Sequence, residues 1–249
     1  MKITILTIFP EFFESPLRQS LLKKAIDSGV LEVELIDIRK YSTNKHNTVD
    51  DTPFGGGGGM VMKIEPLYDA LSTALYESDT QNRRIVLTSA AGRKYDHATA
   101  VKYSLFDHLI VVCGRYKGVD ERISRFFDLD EISIGDYIIN GGETAALVIL
   151  ESVFRLLPGS IHKIESALSD SFSDELLGAP VWTRPAEFLG QRVPDVLVEG
   201  DHARQERFRR WCALKRTVEN RPDLLWRAQL SDEDRGMLES IAAGREFEN

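Results

Sequence analysis

Five short apolar runs, at residues 2–8, 31–38, 84–88, 108–113 and 131–135, alternate with helix-like segments across the first 160 residues. The runs are rich in Ile, Val and Leu and read as strands. Parallel neighbours need a crossover between them, usually a helix, and strands apolar on both faces need cover on both sides. The alternation therefore predicts an α/β domain with a mainly parallel sheet flanked by helices. Between the strands, Leu17, Leu21, Leu22, Ala25 and Ile26 form one stripe of a helix expected over Pro16–Ser28, which stops at Gly29. Asp96 is placed to cap a further helix, and residues 142–156 form a long apolar one before Pro158 and Gly159.

After Gly159 the composition shifts. Residues 161–180 are polar, interrupted by Phe172 and Leu176-Leu177, and read as a linker with a few anchors. Beyond it the strand signal fades, and Ser231-Asp-Glu-Asp234 has the form of a capped helix start with acids in its first turn. The expected organisation is an α/β domain at 1–160, an interdomain linker at 161–174 and a small helical domain at 175–249. A chain of 249 residues, 43% of them hydrophobic, has ample material for such cores. No stretch nears the roughly 18 apolar residues of a membrane helix, so no membrane partner is expected. Neither a signal nor a transit peptide fits the strand-like start Ile3–Ile8. With only Cys113 and Cys212, neither a disulfide framework nor a zinc site is suggested, and a reducing cytoplasm is the expected compartment.

Two glycine-bearing turns follow the last two strand-like runs. One is Gly114-Arg-Tyr-Lys-Gly118 and the other Gly135-Asp-Tyr-Ile-Ile-Asn-Gly-Gly142. Glycines just past buried strands let bare backbone approach a flat or polar ligand. Neither turn has the G-x-G-x-x-G spacing, and no Gly-Lys-Ser/Thr occurs, so the common pyrophosphate and P-loop cradles do not apply. The ligand implied is nucleoside-like. A run of five glycines, Gly55–Gly59, sits between Asp50-Asp51-Thr-Pro-Phe54 and Met60-Val-Met62, which anchors it at both ends. Such a loop is able to lie against a planar base while its amides donate hydrogen bonds.

The net charge of −8 argues against non-specific coating of nucleic acid. Yet residues 201–216 hold Arg204, Arg207, Arg209, Arg210, Lys215 and Arg216 against Asp201 and Glu206 alone. This segment reads either as a solvated helix face or as a grip on phosphates.

Taken together these stretches resemble the bacterial tRNA (guanine-N1)-methyltransferases, which modify the guanine immediately 3′ of the anticodon. The likeness is carried by Asp50–Met62, Gly114–Arg122 and Glu131–Glu143, joined by Asp170-Ser-Phe172 and Thr183–Phe188, then Val193–Leu197 and Arg221–Leu225. These pieces keep the family's order and spacing nearly end to end. The resemblance implies a SPOUT fold with a deep trefoil knot, an obligate homodimer, S-adenosylmethionine as methyl donor and tRNA as substrate. The family's cofactor pocket carries over onto Leu87, Thr88, Ser89 and Ala90 as a first wall. Gly114, Tyr116 and Gly118 make a second, and Ser133, Ile134, Gly135, Tyr137, Gly141 and Gly142 a third. Its RNA contacts carry over onto Asp50, Gly58, Gly59, His202, Arg209, Arg210, Lys215 and Arg216. Asp170 resembles the general base at guanine N1 and Arg155 the arginine that faces O6. The resemblance also implies that the linker carrying the base orders when tRNA binds.

Two positions depart from the family's pattern. Lys117 stands where glutamate is more usual, and Gly178 where aspartate is. Both delete carboxylates expected near the methionine end of the cofactor or near a magnesium ion, so magnesium is left open and no metal ligand is assigned. The rival readings are a non-catalytic RNA-binding protein of the same fold and an NAD-type oxidoreductase. Intact Asp170 and Arg155 disfavour the first, and the missing glycine fingerprint after the first strand disfavours the second.

Overall fold

The computed structural model describes residues 1–160 and 170–247. The chain divides into two compact units, Met1–His162 and Lys163–Asn249. In the first unit the apolar runs become β1 (Lys2–Thr7), β2 (Glu32–Asp37), β3 (Arg83–Lys94), β4 (His108–Cys113) and β5 (Leu129–Ser133). They form one five-stranded sheet in the order β2-β1-β4-β3-β5, and every pairing is parallel. The α/β architecture expected from the alternation is the one observed.

Side chains alternate across a strand, so one strand feeds two cores. Ile3, Ile5, Leu109 and Val111 are buried on one side, with Ala146, Ile149 and Leu150 of helix α4 (Glu143–Phe154) and Leu22 and Ala25 of α1 (Ser20–Asp27). Leu6, Ile85, Leu87, Ile110 and Val112 are buried on the other, with Leu67, Ala70 and Leu71 of α2 (Ile64–Tyr76). Helix α3 (His97–Ser104) starts at Asp96, whose carboxylate accepts a hydrogen bond from the Thr99 amide at 2.9 Å.

Two local features differ from the sequence reading. The helix expected from Pro16 begins at Ser20, and Glu14–Leu17 makes a separate helical turn. Gln19 is extended and Ser20 has φ +54°, a break that lets Leu17 and Leu21 both pack on the same core from separate turns. Strand β3 also runs beyond Thr88. Ile132 pairs with both Thr88 and Arg93, so Ser89–Gly92 loops out of the ladder.

The second unit is built on α5 (His202–Asn220) and α6 (Asp232–Ala242). A two-residue antiparallel ladder, Glu187–Phe188 with Gln191–Arg192, precedes them. Phe208, Trp211 and Cys212 lie at helical spacing on one face of α5 and are buried with Leu176, Val196, Leu214 and Met237. Asp201 caps α5, and Ser231 and Asp234 form a reciprocal capping box at α6, as its sequence predicts. Residues 161–169, most of the expected linker, lie outside the described residues.

Candidate active site

In open parallel sheets, ligands sit beyond the carboxyl ends of the strands. Here the segments leaving β3, β4 and β5, three adjacent strands, enclose one cavity of about 510 Å³. Leu87, Thr88, Ser89 and Ala90 line it from β3, and Gly114, Tyr116 and Gly118 from the turn after β4. Ser133, Ile134, Gly135, Tyr137, Gly141 and Gly142 line it from β5 and the approach to α4. All of the residues assigned to the three walls from sequence therefore meet around one space, and its size suits a nucleoside-scale ligand.

Side-chain and backbone hydrogen bonds stitch the walls together. The Thr88 hydroxyl donates to the Val112 carbonyl at 3.0 Å and accepts from the Gly114 amide at 3.1 Å. The Gly142 amide donates to the Gly114 carbonyl at 2.8 Å, and Arg115 and Gly141 form an antiparallel bridge. Only glycine fits at this crossing. A Cβ on Gly142 would lie 1.9 Å from Thr88 Oγ1 and 2.8 Å from both Cys113 Cα and the Gly114 amide nitrogen.

A buried ion pair, not anticipated from sequence, holds the second wall to the third. Glu143, 1% exposed, opens α4 and accepts from Arg115 Nε at 3.2 and 3.0 Å and from the Thr7 hydroxyl at 2.8 Å. The Arg115 guanidinium stacks on Phe9, 4.4 Å from the ring centroid. A carboxylate in the first helical turn is favoured by the helix dipole, and a cation over a ring adds about 1–2 kcal/mol. The available signal was an acid standing at the head of the otherwise apolar run Thr144–Leu150. Burial also pushes the neighbouring Cys113 thiol well up, so it stays protonated and apolar.

The five-glycine loop lies beside the second wall. Asp50 and Asp51 pair with Met62 and Val61, closing its base as the anchored flanks predict. The Lys117 amide donates to the Met60 carbonyl at 2.9 Å and the Met62 amide to the Gly118 carbonyl at 3.0 Å. Gly55, Gly56, Gly57 and Gly59 all have φ between +81° and +103°, a path that L side chains rarely follow. The Lys117 stem runs past Gly57 and Gly59 closely enough that a Cβ on Gly59 would sit 3.1 Å from its Cε. Gly58 belongs to the same exposed loop. Tyr116, itself at φ +60°, lines the cavity, and burial first and then the nearby Asp50 carboxylate push its phenol pKa up.

Arg155 is exposed at the C-terminus of α4, where the Ser160 hydroxyl donates to its carbonyl at 3.2 Å. Asp170 is exposed in the second unit, and its carbonyl accepts from the Ser173 amide at 3.4 Å. Among the basic residues, His202 and Arg209 are exposed on α5, and among the described residues Arg209 pairs with no carboxylate. Lys215 lies over Trp211 at 5.0 Å and 4.0 Å from Glu246, and Arg216 donates to the Gly178 carbonyl at 3.1 Å. Arg210 is different. Its Nε and Nη2 donate to both Asp234 oxygens at 2.8 and 3.0 Å, and its Nη1 donates to Asp174. Among the described residues no group of three or more His, Cys, Asp or Glu is arranged to hold a metal ion, and no helix is long and apolar enough to cross a membrane.

Comparison with known proteins identifies the family. The family described as "tRNA (Guanine-1)-methyltransferase TrmD" matches residues 1–227. A tRNA (guanine-N(1)-)-methyltransferase of Sulfurihydrogenibium sp. (strain YO3AOP1) is 48% identical over 249 residues, covering 100% of this chain and 97% of the relative. The proteins of that name from Geotalea uraniireducens (strain Rf4) and Listeria welshimeri are 47% and 45% identical. The Geotalea match covers 97% of each chain, and the Listeria match 96% of this chain and 97% of the relative.

Proposed function

The chain belongs to the tRNA (guanine-N1)-methyltransferase family, and on that premise we propose that it methylates N1 of the guanine immediately 3′ of the anticodon, tRNA position 37, from S-adenosylmethionine. The observation that carries this reading is one cavity into which three adjacent strand ends converge, two of them followed by glycine-bearing turns. Its residues fit that donor. With no side chain in the way, the Gly141 backbone can approach an adenine edge, while Leu87, Ile134 and Tyr137 enclose its faces. When bound, S-adenosylmethionine supplies a methyl group already activated on a sulfonium.

The protein's part is then alignment and proton management. Guanine N1 is a poor nucleophile while it keeps its proton. Asp170 accepts that proton, a role worth roughly 10²–10⁴ in rate. Arg155 faces O6, where negative charge gathers, and an aimed donor of this kind is worth about 3–4 kcal/mol. The target base must leave its stack, at a few kcal/mol, less in a loop than in a duplex. The α/β unit holds the donor and the helical unit grips tRNA, with Arg209 on α5 the foremost phosphate contact. The same reading includes the trefoil knot and a homodimer whose active site draws Arg155 and Asp170 from opposite chains.

The test is incubation with methyl-labelled S-adenosylmethionine and tRNA carrying guanine or adenine 3′ of the anticodon. Label is expected in the guanine tRNA alone, and Asp170→Ala is expected to lower the single-turnover rate by about 10²-fold or more. Label in neither tRNA returns the chain to the RNA-binding reading. For the shared site, dimers mixed from Asp170→Ala and Arg155→Ala chains should regain part of the activity, and no rescue counts against it.

A further inference from the structure

Arg209 and Arg210 are adjacent cations on α5, yet their surroundings divide them. Arg210 commits three of its five donors to carboxylates, two to Asp234 and one to Asp174. One cation with two acids leaves a cluster of net negative charge, which repels a phosphate. Asp234 is itself fixed, since the Ser231 amide donates to it at 2.9 Å and its side chain is 6% exposed. Arg210 is thus clamped to the head of α6 on one side and holds Asp174 on the other.

Asp174 lies four residues after Asp170, in a short segment tied down along its length. The Phe172 amide donates to the Leu176 carbonyl at 2.7 Å, and the Gly178 amide to the Ser171 hydroxyl at 2.8 Å. The Leu177 amide donates to Thr217 of α5 at 2.9 Å, Arg216 holds the Gly178 carbonyl, and Leu176 is buried in the core of this unit. Phe172 and Glu175 both take left-handed backbone, at φ +76° and +63°. Such conformations persist only where the surroundings over-determine them.

We infer that Arg210 is a positioning residue for the segment that carries Asp170, acting through Asp174, rather than a phosphate contact. The inference rests on the reading of Asp170 as the base at guanine N1. It reassigns the role expected of Arg210 from sequence, and it leaves Arg209 as the neighbour that meets RNA. A misplacement of about 1 Å at a reacting group costs on the order of 10²-fold in rate. Loosening the segment should therefore appear in the chemical step and not in tRNA affinity.

The experiment is single-turnover methylation of guanine-bearing tRNA at saturating S-adenosylmethionine, with tRNA dissociation constants measured from low to moderate salt. Asp174→Asn is the decisive variant, because Asp174 is more than half exposed and its loss leaves the Arg210–Asp234 pair intact. Its rate is expected to fall about tenfold with an unchanged dissociation constant and salt slope. Arg210→Gln is expected to fall about 10²-fold, and the double variant to be no slower than Arg210→Gln alone. Arg209→Ala supplies the contrast in binding, with its salt slope reduced by about one.

An unchanged rate in Asp174→Asn, or tighter tRNA binding with a steeper slope as the arginine is released to phosphate, overturns the inference. Asp170→Ala measured in parallel separates this from failure of the base assignment. If Asp170→Ala loses its rate while Asp174→Asn keeps it, only the positioning role falls. If Asp170→Ala keeps its rate, the base assignment falls and takes this inference with it.

Discussion

Gly142→Ala is the sharpest probe of the cavity, because the new methyl group has nowhere to go. It would stand 1.9 Å from Thr88 Oγ1, so that oxygen or the backbone must shift by more than 1 Å. The hydroxyl cannot move without giving up its bonds to the Val112 carbonyl and the Gly114 amide. Two such bonds are worth about 1 kcal/mol each, and overpacking adds about 1–3 kcal/mol. A loss of about 3–5 kcal/mol corresponds to roughly 10 °C in the melting temperature of a unit this size. The assay is calorimetric unfolding together with titration of S-adenosylmethionine, whose affinity should fall at least tenfold as the second and third walls separate. Adding Thr88→Ala should restore part of both losses. It removes the worst clash and leaves the 2.8 Å approaches to Cys113 Cα and the Gly114 nitrogen. A Gly142→Ala protein that melts within about 1 °C of the parent and binds the donor as tightly refutes the reasoning.

Two further outcomes are expected. His108 is buried, with Nε2 2.8 Å from the Thr4 hydroxyl and Nδ1 2.8 Å from that of Ser78, and burial, with Lys2 adding, pushes its pKa down to about 4. A folded pKa below the unfolded value of about 6.5 stabilises fully above pH 6.5, and the gain is lost as pH falls toward 4. By pH 4.5 the parent should lose about 2.5 kcal/mol relative to His108→Gln, and a pH-independent difference between the two in chemical denaturation rejects this. Glu175→Gly relieves a left-handed residue and should stabilise the second unit by about 0.5–1 kcal/mol, whereas Glu175→Ala, which keeps the Cβ, should leave its melting temperature unchanged.

The five strands were legible because each carries β-branched and aliphatic residues, and the central β1 and β4 are buried on both faces nearly throughout. Their order was not, since the pairing of β1 with β4, more than 100 residues downstream, leaves no local mark. The extension of β3 was hidden for a related reason. Ser89-Ala-Ala-Gly-Arg-Lys94 has no apolar periodicity, and it rejoins the sheet only because Ile132 accepts a second partner in Arg93. The helix break at Gln19–Ser20 was masked by a leucine stripe that runs straight across it.

The site divides along the same line. Its walls could be read because glycines past buried strands are a local signature of close approach, and the family likeness supplied the remaining lining. What holds the walls could not be read. Arg115 and Glu143 lie 28 residues apart, and either acid or base alone looks like a solvated charge until the fold removes water from both. Arg209 and Arg210 make the point most directly. As letters they are the same cation, and helical phase puts both beside the buried Phe208–Trp211 face. Only the arrival of Asp234 from the capping box of α6, and of Asp174 from a segment 36 residues upstream, spends the charge of one and leaves the other for solvent. On the proposed reading, α5 both grips RNA and holds the segment that carries Asp170, and which arginine does which is set by the acids each meets within the fold, a property of tertiary contact rather than of composition.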